Sequence, residues 1–201
     1  TLRALDDLVS QGKVRYIGVS NFKAWQLMKA LGLSESNSWV RFVAAQYQYS
    51  LVVRDIEREF SDLCLSEGVG LTPWGPLGGG FLTGKYHRGG QPQHGRLAIM
   101  ADETEEAWSR RSTEHNWQIL DAMDDIATQY DISHSQIALA WLLAQPAVAS
   151  VIIGARTPEQ LEDNLKSTQG KLPAAEIKRL TEISAQAEGY PYRLIRVYGS
   201  R

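Results

Sequence analysis

The sequence predicts an α/β protein built on a parallel sheet, and three observations carry that prediction. Four short apolar runs recur along the chain, each followed by a stretch of helical periodicity. Strand–helix–strand order favours parallel pairing through right-handed crossovers. Polar and glycine-rich residues gather just after the apolar runs, where such a sheet carries its chemistry.

The elements follow in order. Leu2, Leu5, Leu8 and Val9 recur at helical spacing, and Gly12 supplies a stop. The first strand, Val14 to Val19, ends at Ser20-Asn21. Trp25, Leu27, Met28 and Leu31 mark a helix expected to stop near Gly32. The second strand runs from Val40 to Tyr49. A helix from Arg54 to Glu67 places Ile56, Phe60, Leu63 and Cys64 on one face, with Gly68 at its end. The third strand, Val69 to Pro73, leads into WGPLGGGFLTGKY. Residues 87–115 show no clear period and read as a long loop. Helices resume near Asn116 to Tyr130 and Ser133 to Ala144. A fourth strand, Val148 to Ile153, precedes a short helix from Pro158, a residue suited to a first helical turn. One more helix spans Pro173 to Ala187, and the tail 189–201 reads as poorly packed. Because Thr1 falls inside the first helix, the chain is expected to begin within a domain.

Composition narrows the function. The 201 residues are 43% hydrophobic and 22% charged, as in one ordinary packed domain. With 21 basic and 23 acidic side chains, the net charge of −2 argues against a nucleic-acid binder. No apolar run approaches the roughly 18 residues of a membrane span. The single cysteine, Cys64, forms no internal disulfide, and a reducing cytoplasm is the expected compartment.

The residues after the strands carry the candidate chemistry. Gln46 sits inside an apolar strand, where an amide needs a hydrogen-bond partner. Ser20 and Asn21 suit either a helix cap or a ligand. Gly75, Gly78, Gly79 and Gly80 permit close backbone approach, and their amides can cradle an anion. Lys85 can add a point charge for a phosphate. Trp74 is either a core side chain or a flat face for a heteroaromatic ring. Arg156 lies at the start of a helix whose N-terminal amides favour an anion. Gln160, Asp163 and Asn164 share one helical face, suited to a base edge or simply to solvent. The four histidines, His87, His94, His115 and His134, fall in loops or on helices, with His134 expected at the surface.

Together these segments resemble the aldo-keto reductase family. The likeness lies in YIGVSNF (Tyr16 to Phe22), AQYQYS (Ala45 to Ser50), WGPLGGGFLTGKY (Trp74 to Tyr86) and VIIGARTPEQLEDN (Val151 to Asn164). The resemblance implies a (β/α)8 barrel of TIM type that binds NADP(H) in an extended pose. It implies that Ser20, Asn21 and Gln46 hold the nicotinamide carboxamide and that Trp74 stacks on the ring. Gly75, Pro76, Leu77, Gly78, Gly79 and Lys85 would run beside the pyrophosphate, with Arg96 in the covering loop. Gly154, Arg156 and Gln160 would meet the 2′-phosphate, and Asp163 and Asn164 the adenine.

A full barrel takes about 250 residues and eight strands. The four strands here resemble its fifth to eighth β/α units, so the chain reads as one domain, 1–201, from the C-terminal portion of such a barrel. The family's Asp, Tyr, Lys and His tetrad belongs to the earlier half. No catalytic residue and no metal ligand is therefore assigned here, and this chain alone is expected to be inactive. In the intact protein the resemblance implies reduction of aldehydes or ketones. The other reading is a nucleotide-binding regulatory subunit resembling potassium-channel β subunits; a scaffold that binds no nucleotide is a third. Expected partners are a small carbonyl substrate and either a second copy or the N-terminal half, with no nucleic acid and no membrane.

Overall fold

The computed structural model describes residues 1–170 and 172–199. Three parallel strands lie in sequential order: β1 (Ile17–Ser20), β2 (Phe42–Gln46) and β3 (Gly70–Leu71). Helix α1 (Leu2–Ser10) precedes β1, α2 (Ala24–Ser36) joins β1 to β2, and α3 (Phe60–Glu67) leads from β2 to β3. One sheet face is packed. Ile17, Val19, Phe42, Ala45, Tyr47 and Leu71 point into a core shared with Leu27 and Leu31 of α2 and Cys64 of α3. On the other face Gly18, Ser20 and Gln46 are exposed, while Ala44, Gly70 and Thr72 are half-buried.

The fourth strand is a correction. Residues 147–152 run beside β3, with Leu71 N donating to Ala147 O at 2.8 Å, Ala149 N to Leu71 O at 2.9 Å and Ile152 N to Pro73 O at 2.9 Å. Only a single parallel bridge, Leu71 to Val148, results. Pro73 has no N–H to donate, so the next rung cannot form and no regular ladder develops. The sheet therefore supplies part of the expected barrel.

Several helix boundaries also move. Helix α2 passes Gly32 and ends at Ser36, capped by Asn37, with Ser38 beyond it at φ +56°. The expected helix 54–67 divides into a 3₁₀ turn, Asp55–Arg58, and α3, with Glu59 at φ −141° between them. The cause is Arg54, which is buried and donates to both Glu57 carboxylate oxygens at 2.7 Å, to Thr181 O and to Ser184 Oγ. Gly68 ends α3 in the left-handed region, as expected.

Residues 87–115 hold two one-turn helices, α4 (Arg96–Ile99) and α5 (Trp108–Arg111), and α6 (Glu114–Tyr130) already begins inside them. Leu97 and Ala107 are fully buried, and Trp108 packs on Phe81, Tyr86 and Trp117. Anchors so widely spaced create no period, which is why the segment reads as irregular. Helix α7 (His134–Leu143) follows, and α8 (Pro158–Leu165) continues into a 3₁₀ turn, Lys166–Gln169. Helix α9 (Ala174–Ile183) stops at Ser184, short of Ala187. The tail forms α10 (Tyr192–Tyr198), yet Leu194, Ile195, Val197 and Tyr198 stay exposed; residues 200 and 201 lie outside the described residues.

Candidate functional site

The ends of the strands bring the first group of residues together. Ser20 on β1 pairs in register with Gln46 on β2, and its Oγ donates to the Gln46 carbonyl at 3.0 Å. The Gln46 side chain projects from the open sheet face and is exposed, so its amide is available to water or ligand rather than locked in the interior. Asn21 follows at φ +56°, a conformation that asparagine tolerates better than most residues. This turn is fastened from behind by Tyr47, whose hydroxyl donates to the Phe22 carbonyl at 3.1 Å. Burial raises the Tyr47 pKa to about 12, so the donor stays protonated.

Trp74 continues β3 beside the extension of β2. Its N–H donates to Tyr47 O at 2.9 Å, and its carbonyl accepts from Tyr49 N at 3.3 Å. The side chain is half-buried and lies outside the main core cluster. Next to it, Gly75 sits at φ +65°. The structure gives the other glycines a packing reason: a Cβ on Gly78 would meet Val52 Cγ2 at 2.7 Å, and one on Gly79 would meet Leu97 Cδ2 at 2.8 Å. Pro76 is buried and Leu77 half-buried. This run is a tightly packed turn whatever it binds.

Two residues here escaped the sequence reading. Gln48 Nε2 is buried without a hydrogen-bond partner, beside Gly75. Leaving such a donor unpaired costs about 1–3 kcal/mol, which makes it a marker of a missing acceptor. Its signal was the two-residue period, since Gln46 and Gln48 fall on one strand face. The second is Glu106, 6% exposed, whose Oε2 accepts from Arg96 Nε at 2.5 Å. Glu106 sits in the aperiodic loop, where no pattern marks it. Arg111 nearby is also buried; desolvation lowers its pKa, and the charges of Glu106 and Glu105 oppose that shift.

Lys85 is exposed; its Nζ lies 5.0 Å from the Tyr86 ring centroid and 2.9 Å from where a Gly80 Cβ would be. It lines a cavity of about 560 Å³ with His87, Arg88, His94 and Trp108. His134 departs from the expected surface placement. It is half-buried beneath Gly84, with Nε2 2.8 Å from an Asp124 carboxylate oxygen.

The second group surrounds α8. The Ile152–Pro73 hydrogen bond places Ile152 beside the residue that precedes Trp74, and Gly154 and Arg156 follow in the next few residues, both exposed. Thr157 caps α8 by accepting from Gln160 N at 3.3 Å, while Gln160 Oε1 accepts from Arg156 N at 2.9 Å. Glu159 already rests on the Thr157 hydroxyl and its own backbone N–H, which together hold its pKa below the ordinary carboxylate value. Asp163 accepts from Ser133 Oγ and from Gln136 Nε2, each at 2.6 Å, tying α8 to the start of α7. Asn164 is buried. The expected base-reading face thus contains a cap, a clamp and an interior amide, and Arg156 is its exposed cation.

Comparison with known proteins sets these features in context. The sequence pattern of the Aldo/keto reductase family matches residues 1–185. Versiconal hemiacetal acetate reductase of Aspergillus parasiticus is 33% identical over 185 residues, covering 90% of this chain and 51% of that protein. Protein tas of Escherichia coli is 36% identical over 192 residues, covering 96% and 53%. A probable voltage-gated potassium channel subunit beta of Arabidopsis thaliana is 32% identical over 168 residues, covering 83% and 51%. The chain spans about half the length of these relatives.

Proposed function

The chain belongs to the aldo/keto reductase family, and from that premise we propose that it forms the cofactor-binding half of an NADP(H)-dependent reductase of aldehydes or ketones. Family membership implies an oxidoreductase on a (β/α)8 barrel. The fifth-to-eighth placement, the choice of NADP(H) and a cytoplasmic location belong to this proposal. One observation carries it: three adjacent strand ends present Ser20, Asn21, Gln46 and Trp74 together, next to Gly75 and an unpartnered Gln48 amide. That set suits a planar ring bearing a carboxamide and followed by phosphate.

The cofactor, when bound, would supply a hydride for a carbonyl carbon. The residues of this chain bind and orient. Ser20, Asn21 and Gln46 offer donors and acceptors to a carboxamide, and Trp74 offers a ring face. Gly75 to Gly79, with Lys85 and Arg96, would lie along the pyrophosphate. Arg156 and Gln160 near Gly154 would hold a ribose 2′-phosphate, while Asp163, engaged by Ser133 and Gln136, and buried Asn164 would have to exchange their present surroundings to reach the base. Proton transfer to the product oxygen is left to residues outside this chain. A second reading is supported by the Arabidopsis relative: a nucleotide-binding regulatory subunit. Both are tested in the longest natural protein carrying this chain. Consumption of NADPH with a panel of aldehydes and ketones supports the reductase, whereas tight cofactor retention without turnover supports the regulatory subunit. Binding of neither NADPH nor NADH would contradict both.

A further inference from the structure

The loop that crosses the glycine turn delivers a carboxylate into it. A Cβ built on Gly75 would meet Glu106 Oε1 at 3.7 Å, and one built on Gly79 would meet the Glu106 carboxyl carbon at the same distance. The acid therefore lies against both glycines, with Arg96 on its other oxygen. Its side chain is 8% exposed, whereas that of Arg96 is 55% exposed. Buried Arg111 feels its charge. On the flank of Gly75, Gln48 Nε2 sits 3.6 Å from the same built Cβ and has no acceptor. A negative charge is already seated where the surrounding groups favour an anion.

We propose that Glu106 is an internal plug of a phosphate site: it must leave the turn before a nucleotide phosphate can sit there, its departure frees Arg96 for that phosphate, and the phosphate brings the Gln48 amide an acceptor. The inference rests on the cofactor reading above and assigns Gln48 a binding role. Exchanging one anion for another keeps a negative charge opposite Arg111, so the swap leaves no buried guanidinium uncompensated. It also gives the orphaned Gln48 donor an acceptor. Lys85 is not part of the plug, since its ammonium rests against Gly80 and the Tyr86 ring.

The test uses the full chain, with inorganic pyrophosphate and NADPH as separate probes, read by indole fluorescence beside the melting temperature. Glu106→Gln keeps the shape and removes the competing charge, so both probes should bind roughly tenfold more tightly. Gln48→Leu should weaken both while the melting temperature holds or rises, because an unpartnered donor has been removed. A structural glutamine would instead lower the melting temperature and leave binding per folded molecule unchanged, overturning the role of Gln48. If the wild type binds NADPH and Glu106→Gln binds it equally or more weakly, the plug is overturned and the cofactor reading stands. A fall in the melting temperature of unliganded Glu106→Gln that pyrophosphate or NADPH reverses supports the plug, since the phosphate then restores the charge opposite Arg111; a large fall that neither probe reverses overturns it. Tighter pyrophosphate binding by Glu106→Gln, with NADPH bound by neither protein, supports the plug and overturns the cofactor reading. Binding of neither probe to either protein overturns both.

Discussion

Arg156 combines a fixed backbone with an exposed guanidinium: Gln160 holds its N–H, and the capped start of α8 follows at once. A paired, charge-assisted contact to a 2′-phosphate is worth about ten- to a hundredfold in affinity. Arg156→Ala should therefore lower NADPH affinity by that factor and leave NADH affinity nearly unchanged. Equal losses for the two cofactors would make Arg156 a structural residue. Cys64 yields a prediction of another kind. Burial raises its thiol pKa from 9.0 to about 11, so the folded state holds this proton more tightly than the unfolded state does. The resulting stability is complete below the unfolded pKa of 9.0 and is lost as pH rises towards about 11. Melting temperatures should fall across that window, and Cys64→Ala should flatten the fall. An unchanged slope in the variant would place the alkaline sensitivity elsewhere.

The glycine turn shows how one sequence feature can serve packing and binding together. Gly78 and Gly79 sit at φ +58° and +71°, and each would press a Cβ into Val52 or Leu97. Gly79→Ala should therefore cost roughly 1–3 kcal/mol of stability. Chemical denaturation checks this, and an unaffected midpoint would show that the turn relaxes freely. The longer helices and the first three strands were legible because their apolar residues repeat at 3.6 or 2 and their ends carry Gly68 or Pro158, whereas the short helices α4, α5 and α10 were not. The fourth strand was not, because Pro73 removes a rung that no apolar pattern can reveal. The break before α3 was hidden in the same way, since it depends on Arg54 reaching Thr181 and Ser184 some 127 and 130 positions away. Ser20, Asn21 and Trp74 could be read from their positions after apolar runs, and Gln46 as a polar residue within one; its place at the strand end came from β2 stopping there. Glu106 could not, because its place depends on how residues 87–115 fold back over Gly75.

At the scale of the molecule, one sheet face is packed and the other is open, with Gly18, Ser20 and Gln46 exposed and Tyr16 and Val43 exposed beside them. Open strand edges and an uncovered face favour association. We expect the chain to pair with a second copy or with an N-terminal β/α half, as a closed barrel requires. Sedimentation of the isolated chain should show association, and a stable, cooperatively unfolding monomer would contradict this. A nicotinamide ring lying against Trp74, as proposed, would quench that indole on contact. Titration with NADPH, followed by indole fluorescence in the wild type and in Trp74→Phe, tests it most directly. Saturable quenching in the wild type, a largely lost signal in the variant and similar melting temperatures for both are expected. Equal quenching in the two proteins, or none in the wild type, would contradict it.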